Sequence, residues 1–310
     1  MKDIRRENYK YTLYLLVTVF GWGIMYPASK HAVSSGIDGY YLTFIRYVLG
    51  AFLVSIVLLV IEGKKSYKTE GKAFQLWFFG TIGFAGLNFL TFIGIGFSSA
   101  EHATIILALM PMLSMILSSI LNHNIPNIKT ILCTLLAFVG IVLVITNGDF
   151  NHLIASSSFL GDVLLFTATI CWVIYTYFAN MVITKYKWSA LRVTALSSSL
   201  SVLSIIAITL IASFLDLASP PSLSALITSG FDIFVLVITT LVIITWNAGI
   251  NGLGAINGIL FVNLVPVIAF IIGIYQGHSI SCIEIIGAII TIIALIFNNI
   301  FMRKNDNKQK

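Results

Sequence analysis

Apolar runs of the length that crosses a bilayer recur from one end of the chain to the other, at residues 12–32, 39–61, 74–95, 100–121, 128–147, 160–181, 190–213, 231–250, 254–276 and 282–302. A span of about 20 apolar residues traverses the hydrocarbon core as an α-helix, and lipid admits only helices or closed barrels because every backbone N–H and C=O must find its partner internally. The pattern predicts an all-α membrane protein of about ten transmembrane helices. Only 10% of the residues are charged, against roughly a quarter in soluble domains, which excludes a soluble enzyme. The third and fourth runs are separated only by "GFSSAEH" and the eighth and ninth only by "NGLGA", so a merged or re-entrant pair at either place would change the count.

The net charge of +6 comes from 18 Lys and Arg residues that are spread by loop, which carries information about topology and not about nucleic acid. With ten spans both termini share a side. Lys2, Arg5, Arg6 and Lys10 at the start and Arg303, Lys304, Lys308 and Lys310 at the end place that side in the cytoplasm, and Lys64, Lys65, Lys68, Lys72, Lys129, Lys185, Lys187 and Arg192 fall there too. Lys30 and Arg46 are left toward the other face. The chain is therefore expected in the inner (cytoplasmic) membrane as a multi-pass protein with both termini cytoplasmic. The first run is long for a signal-peptide core and many spans follow it, so it is read as an uncleaved helix. Cys133, Cys171 and Cys282 show no C-x-x-C spacing and are read as packing residues, with no disulfide framework and no metal site.

An internal repeat constrains function more than any single motif. "SAEHATIILALMP" (99–111) lies over "GAINGILFVNLVP" (254–266), bringing Ala100 to Ala255, Leu109 to Leu264 and Pro111 to Pro266. The register continues through the next helix and sets His123 on His278; with small slips Trp22 meets Trp172 and Arg46 meets Arg192. Each half, 1–150 and 151–310, holds five spans, so the second enters the membrane from the opposite side. Two inverted five-helix repeats around a central cavity are an architecture of transporters, with substrate near the midplane.

The first run, "VTVFGWGIMYPASKHAV", carries Gly21, Gly23, Pro27 and Lys30, residues that a simple anchor helix would avoid. Glycines let helices approach closely and Pro27 loosens the backbone ladder. The stretch "FGWGIMYPASK" resembles the W-G-x-x-x-x-x-x-K first-helix signature of EamA-type members of the drug/metabolite transporter superfamily. "FIRYVLGAF" resembles the second-helix Arg segment of that family, and "ILALMPMLSMIL" and "LFVNLVPVIAFI" resemble its Pro-bearing fourth and ninth helices. The resemblance covers nearly the whole chain and implies ten helices around a central cavity that move small metabolites, often amino acids. It also implies Gly-Glu near the ends of the fourth and ninth helices, where this chain has His123 and His278. Those histidines either brace helix ends as the Glu would or act as a pH-sensitive gate.

Substrate-binding candidates are Trp22, Tyr26, Lys30, Arg46, Asn88, Trp172, Tyr175, Trp246 and Asn263, and gating candidates are Pro27, Pro111, Pro266, His123 and His278. Tryptophan favours the membrane interface, so one at mid-span needs a reason: a cavity wall or lipid-facing bulk. Lys30 can snorkel to water. Arg46 either pairs with Glu101 or Asp162 or holds a substrate carboxylate together with Lys30. Asn residues in lipid seek partners, either a neighbouring helix or substrate. No Asp or Glu lies near the middle of a span, which argues against proton exchange on a buried carboxylate. "GINGLGAING" lacks both the spacing and the preceding strand of a dinucleotide loop, and no nucleophile set suggests an enzyme. The expectation is a carrier with no cofactor, working as a monomer or homodimer on a small-molecule substrate, an amino acid or related compound, with export preferred. Its rivals are a lipid or lipid-linked sugar translocase and, less favoured, a membrane-embedded enzyme or sensor.

Overall fold

The computed structural model describes residues 2–97, 105–123, 126–146, 148–149, 159–275 and 281–306. Among them seven helices are long and apolar enough to cross a membrane, and three shorter apolar helices, Ile105–Leu121, Ala255–Ile268 and Cys282–Asn298, bring the set to the expected ten. In chain order these are α1 (Lys2–Ser34), α2 (Gly39–Ile61), α3 (Ala73–Gly80, continuing through a π-helical stretch Thr81–Gly86 into Leu87–Phe97), α4 (Met110–Asn122), α5 (Ile128–Thr146) and α6 (Phe159–Tyr186). The remainder are α7 (Ala190–Phe214), α8 (Gly230–Leu253), α9 (Ala255–Ile259, a 3-10 turn Leu260–Asn263, then Leu264–Tyr275) and α10 (Cys282–Asp306). The first helix starts ten residues before the apolar run that predicts it, because intrahelical hydrogen bonds do not stop at the membrane boundary.

Local chemistry sets the starts and stops. Asp38 caps α2 by accepting from the Tyr40 N–H at 2.7 Å, and Ser189 caps α7, the corresponding helix of the second half, by accepting from the Arg192 N–H at 2.9 Å. Such caps satisfy donors that the helix itself leaves orphaned. The eighth and ninth spans are not merged: Gly254 alone separates them, with φ +79°, a conformation that disfavours side chains with a Cβ. The segment between the third and fourth spans, which includes Glu101, lies outside the described residues.

The main helix contacts are kept when the halves are exchanged. α1 runs along α8 as α3 runs along α6, α1 meets α9 as α6 meets α4, and α2 meets α8 as α7 meets α3. α2 with α7, α4 with α9, and α5 with α10 are their own counterparts. This is the contact pattern of two related halves, and the five spans in each set the second half in the opposite sense. The register Arg46 to Arg192 is where the halves diverge: Arg46 lies two turns inside α2, whereas Arg192 is the third residue of α7.

Lipid supplies no hydrophobic drive between helices, so close backbone approach decides which ones associate. Gly140 and Gly287 let α5 and α10 meet backbone to backbone: a Cβ on Gly140 would stand 2.7 Å from the Gly287 carbonyl oxygen, and one on Gly287 would stand 2.5 Å from the carbonyl oxygen of Gly140. Cys133 is buried on α5 while Cys282 is exposed on the first turn of α10, so packing accounts for the former and not the latter. Gly140→Val and Gly287→Val should each lower stability by about 1–3 kcal/mol through overpacking. The expected readout is a reduced thermal midpoint of solubilised protein on size-exclusion chromatography, whereas Gly230→Ala, with nothing within 4 Å of the added carbon, should leave it unchanged.

Candidate functional site

Three mid-span tryptophans from three helices meet at the centre of the bundle. Trp22 of α1 contacts Trp172 of α6 edge-on, with ring centroids 5.5 Å apart, and lies 5.0 Å from Trp246 of α8; Trp172 and Trp246 are 6.3 Å apart. Their exposures are 9%, 3% and 0%, which removes the lipid-facing alternative. Gly21 makes this possible, since it faces Val242 and lets α1 lie close on α8. Trp246 donates its indole N–H to Thr176 Oγ1 at 3.2 Å, which fixes the ring.

Tyr175 extends the aromatic surface on one side. Its ring is 5.4 Å from Trp172 and 4.6 Å from Phe84. The side chain fits because Gly83, inside the π-helical stretch of α3, faces it without a side chain. The Tyr175 hydroxyl shares a hydrogen bond with Ser197 and accepts from Asn247 Nδ2, which also donates to Thr194 Oγ1 at 2.9 Å. The Asn247 carbonyl oxygen is buried and unpartnered.

Arg46 and Asn88 converge on one residue, Tyr47. The Arg46 guanidinium carbon stands 5.0 Å from the Tyr47 ring centre, and Asn88 Nδ2 donates to the Tyr47 hydroxyl at 3.1 Å and to the Phe84 carbonyl at 2.7 Å. Tyr47 is 5.3 Å from Phe84, itself 6.2 Å from Trp172, so aromatic faces run unbroken from Arg46 to the tryptophans. Arg46 is 8% exposed, and its Nε has no hydrogen-bond partner. Of its two expected carboxylate partners, Asp162 makes no ion pair with it among the described residues, and Glu101 is not described. A charge at a bilayer centre costs about 2.5–3.5 kcal/mol on insertion scales, so this guanidinium is an outlier in the molecule.

The other candidates are placed as follows. Asn263 ends the 3-10 turn of α9, fully buried, with neither amide atom hydrogen-bonded, and it takes no part in the aromatic cluster. Pro111 is the second residue of α4 and Pro266 the third of the final α9 segment. Both therefore stand in a first turn where a missing N–H costs nothing, and the chain is interrupted just before each, at 108–109 and at Leu260–Asn263. Pro27 lies inside a continuous α1. His123 closes α4 in the left-handed conformation, φ +51°. The side chains of Tyr26 and Lys30, and all of His278, lie outside the described residues.

Contacts between the halves close the bundle at both ends. Toward the face opposite the termini, His31 Nδ1 lies 2.6 Å from Asp232 Oδ2, and the hydroxyls of Tyr41 and Ser213 meet at 2.9 Å. Toward the terminal face, Thr18 and Thr245 share a 2.7 Å hydrogen bond, and Tyr11 packs on Gly252. At that face Glu70 also pairs with Arg192 at 2.6 Å and accepts from the Trp188 indole, over which the Arg192 guanidinium stacks. Sequence reasoning missed Tyr47, Phe84 and these closing pairs. The three-residue spacing in "GTIGFAG" (80–86) was the one available signal for the close α3 packing.

Ten membrane helices in two inverted halves, with aromatic rings from both meeting at mid-span, define a multi-pass membrane transporter. The profile of the EamA-like transporter family matches residues 10–146 and 159–300. The chain is 36% identical over 301 residues to the uncharacterized transporter YrdR of Bacillus subtilis (strain 168), covering 95% of this chain and 92% of that one. It is also 30% identical to the uncharacterized transporter YyaM of the same organism, over 81% of each. A solved structure described only as "Crystal structure of protein" superposes with a TM-score of 0.75 at 15% identity, covering 94% of this chain and 98% of the other, and shares the fold. This chain belongs to the EamA-like transporter family.

The Arg192 hydrogen bond, foremost, holds the Glu70 carboxyl below the usual carboxylate range; desolvation opposes it, and the Arg192 charge, the Trp188 hydrogen bond and the Lys72 charge add to it. A depressed folded value means the pair stabilises fully above the unfolded value of about 4.3 and ceases to do so as pH falls through the lower folded value. Glu70→Gln should therefore lower the thermal midpoint at pH 7, and the gap from wild type should close in acid below pH ~4.

Proposed function

We propose that this transporter exports a small, partly apolar organic solute, an amino acid or related metabolite, by alternating access. In this account the halves 1–150 and 151–310 rock against each other in the cytoplasmic membrane, with both termini inside. The observation that carries the proposal is the meeting of Trp22 from the first half with Trp172 and Trp246 from the second. Rings contributed by both moving units must part when the halves move, and their faces then become the wall of a binding site at the midplane, where this architecture places substrate. The cytoplasmic placement of the termini rests on the loop-wise bias of Lys and Arg, and export is preferred from the family resemblance.

Small molecules compared inside and outside cells overproducing wild type or Trp22→Ala should show one compound depleted inside and enriched outside with wild type only. Enrichment inside would reverse the direction, and no difference would overturn the proposal in favour of a lipid substrate or a role without flux. Trp22→Ala should weaken apparent affinity by about 2- to 10-fold, the equivalent of one buried aromatic contact, and Arg46→Ala by more, while protein level falls little. Cys133→Ser should change neither, and equal losses of flux and folded protein in the first two would mark packing residues.

A further inference from the structure

We propose that the site takes an organic anion: a carboxylate held by Arg46 and Tyr47, carrying an apolar or aromatic body that lies against the tryptophans and bears no ammonium group. The inference rests on the transport site proposed above and narrows its substrate class, from amino acids and related metabolites in general to the related carboxylates that lack an ammonium group.

Arg46 is the residue that demands it. Position 46 lies seven residues beyond the first residue of α2, Gly39, about 10 Å into the membrane at the helical rise per residue. A guanidinium has five N–H donors, cannot shed its charge, and matches a carboxylate in planar, bidentate geometry. Here it contacts one aromatic face, its Nε is buried without an acceptor, and it belongs to neither of the described ion pairs, His31–Asp232 and Glu70–Arg192. The acidic residues on the described spans sit in first turns, at Asp162, Asp232 and Glu284. Asp232 is engaged by His31, Glu284 accepts from the Ser281 N–H, and Asp162 is engaged elsewhere. Intramembrane charges are ordinarily paired, so the counter-ion that the described protein residues lack is one that a ligand brings.

The neighbouring groups fit the same ligand. Tyr47 accepts a hydrogen bond from Asn88 and keeps its own O–H proton, a second donor beside the guanidinium. From there the aromatic surface continues through Phe84 to Trp172, apolar throughout. A carboxylate on Arg46 forms a neutral pair inside the membrane. An ammonium on the same ligand would leave the site with a net positive charge, for which the described residues offer ring faces and the Asn247 carbonyl oxygen but no carboxylate.

A matched series with one phenyl body tests this: phenylacetate, phenylalanine, phenethylamine and phenylacetamide, added to the full-length protein in lipid nanodiscs and followed by intrinsic tryptophan fluorescence. Phenylacetate should bind saturably and at least tenfold more tightly than the other three. Arg46→Gln should bring phenylacetate down to the level of phenylacetamide and leave phenylacetamide unchanged, and Arg46→Lys, which keeps the charge but loses the fork, should fall between. Phenylalanine or phenethylamine binding as tightly as phenylacetate would overturn the charge class while leaving the transport site standing. Unchanged phenylacetate binding in Arg46→Gln would overturn the role of Arg46, and no saturable response to any of the four would overturn both the inference and the site. Should Arg46→Gln fail to fold, the order within the wild-type series and the Arg46→Lys variant decide.

Discussion

Helices in lipid gain nothing by burying apolar surface against each other, so the whole structure depends on where their backbones can come close. Gly249 and Gly252 seat Leu15 and Tyr11 of α1 on α8, and Gly21 seats Val242 on α1. That seam brings Trp22 onto Trp246. A parallel seam, Gly83 against Tyr175 and Gly94 against Leu165, joins α3 to α6 and brings Phe84 to Trp172. The two seams are counterparts under exchange of the halves, so the same packing chemistry applied twice closes the aromatic centre.

The centre in turn divides two kinds of polar contact. Near the middle, hydrogen bonds hold rings in place: Thr176 on Trp246, Ser197 and Asn247 on Tyr175, Asn88 on Tyr47. At the two faces, hydroxyl and charged pairs such as Tyr41–Ser213, His31–Asp232 and Glu70–Arg192 link the halves. Pairs of this kind exchange readily with water, whereas the buried network does not, because a lost bond inside leaves an unsatisfied group. The structure is thus held at its ring supports by buried bonds and at its two faces by pairs that water can replace.

Much of this was legible in the sequence, and the physical reason is that lipid imposes one dominant signal. Apolar runs gave the ten spans, most of the described boundaries within a few residues, and the pairing of Pro111 with Pro266 gave the repeat. Trp22 with Trp172 followed from position alone. What stayed hidden depends on tertiary contact. Tyr47 is one aromatic among many in an apolar run, and only the fold sets it between Arg46, Asn88 and Phe84. The π-helical Thr81–Gly86 has no side-chain signature beyond its glycines. Arg192 looked like the mate of Arg46, yet it lies at a helix start where Glu70 reaches it from the loop before α3, a pairing that no periodicity encodes.

The account turns on the tryptophan contact being the barrier between the two faces, and side-resolved labelling tests that most directly. In a background with Cys133, Cys171 and Cys282 replaced, single cysteines at Met25 and Thr18 stand about one turn to either side of Trp22 on α1. A membrane-impermeant thiol reagent applied to right-side-out and inverted vesicles should label position 25 only from the outside and position 18 only from the inside. Conditions that raise one should lower the other. Simultaneous labelling of both from one side, or a pattern that no added solute or gradient ever changes, would contradict the account.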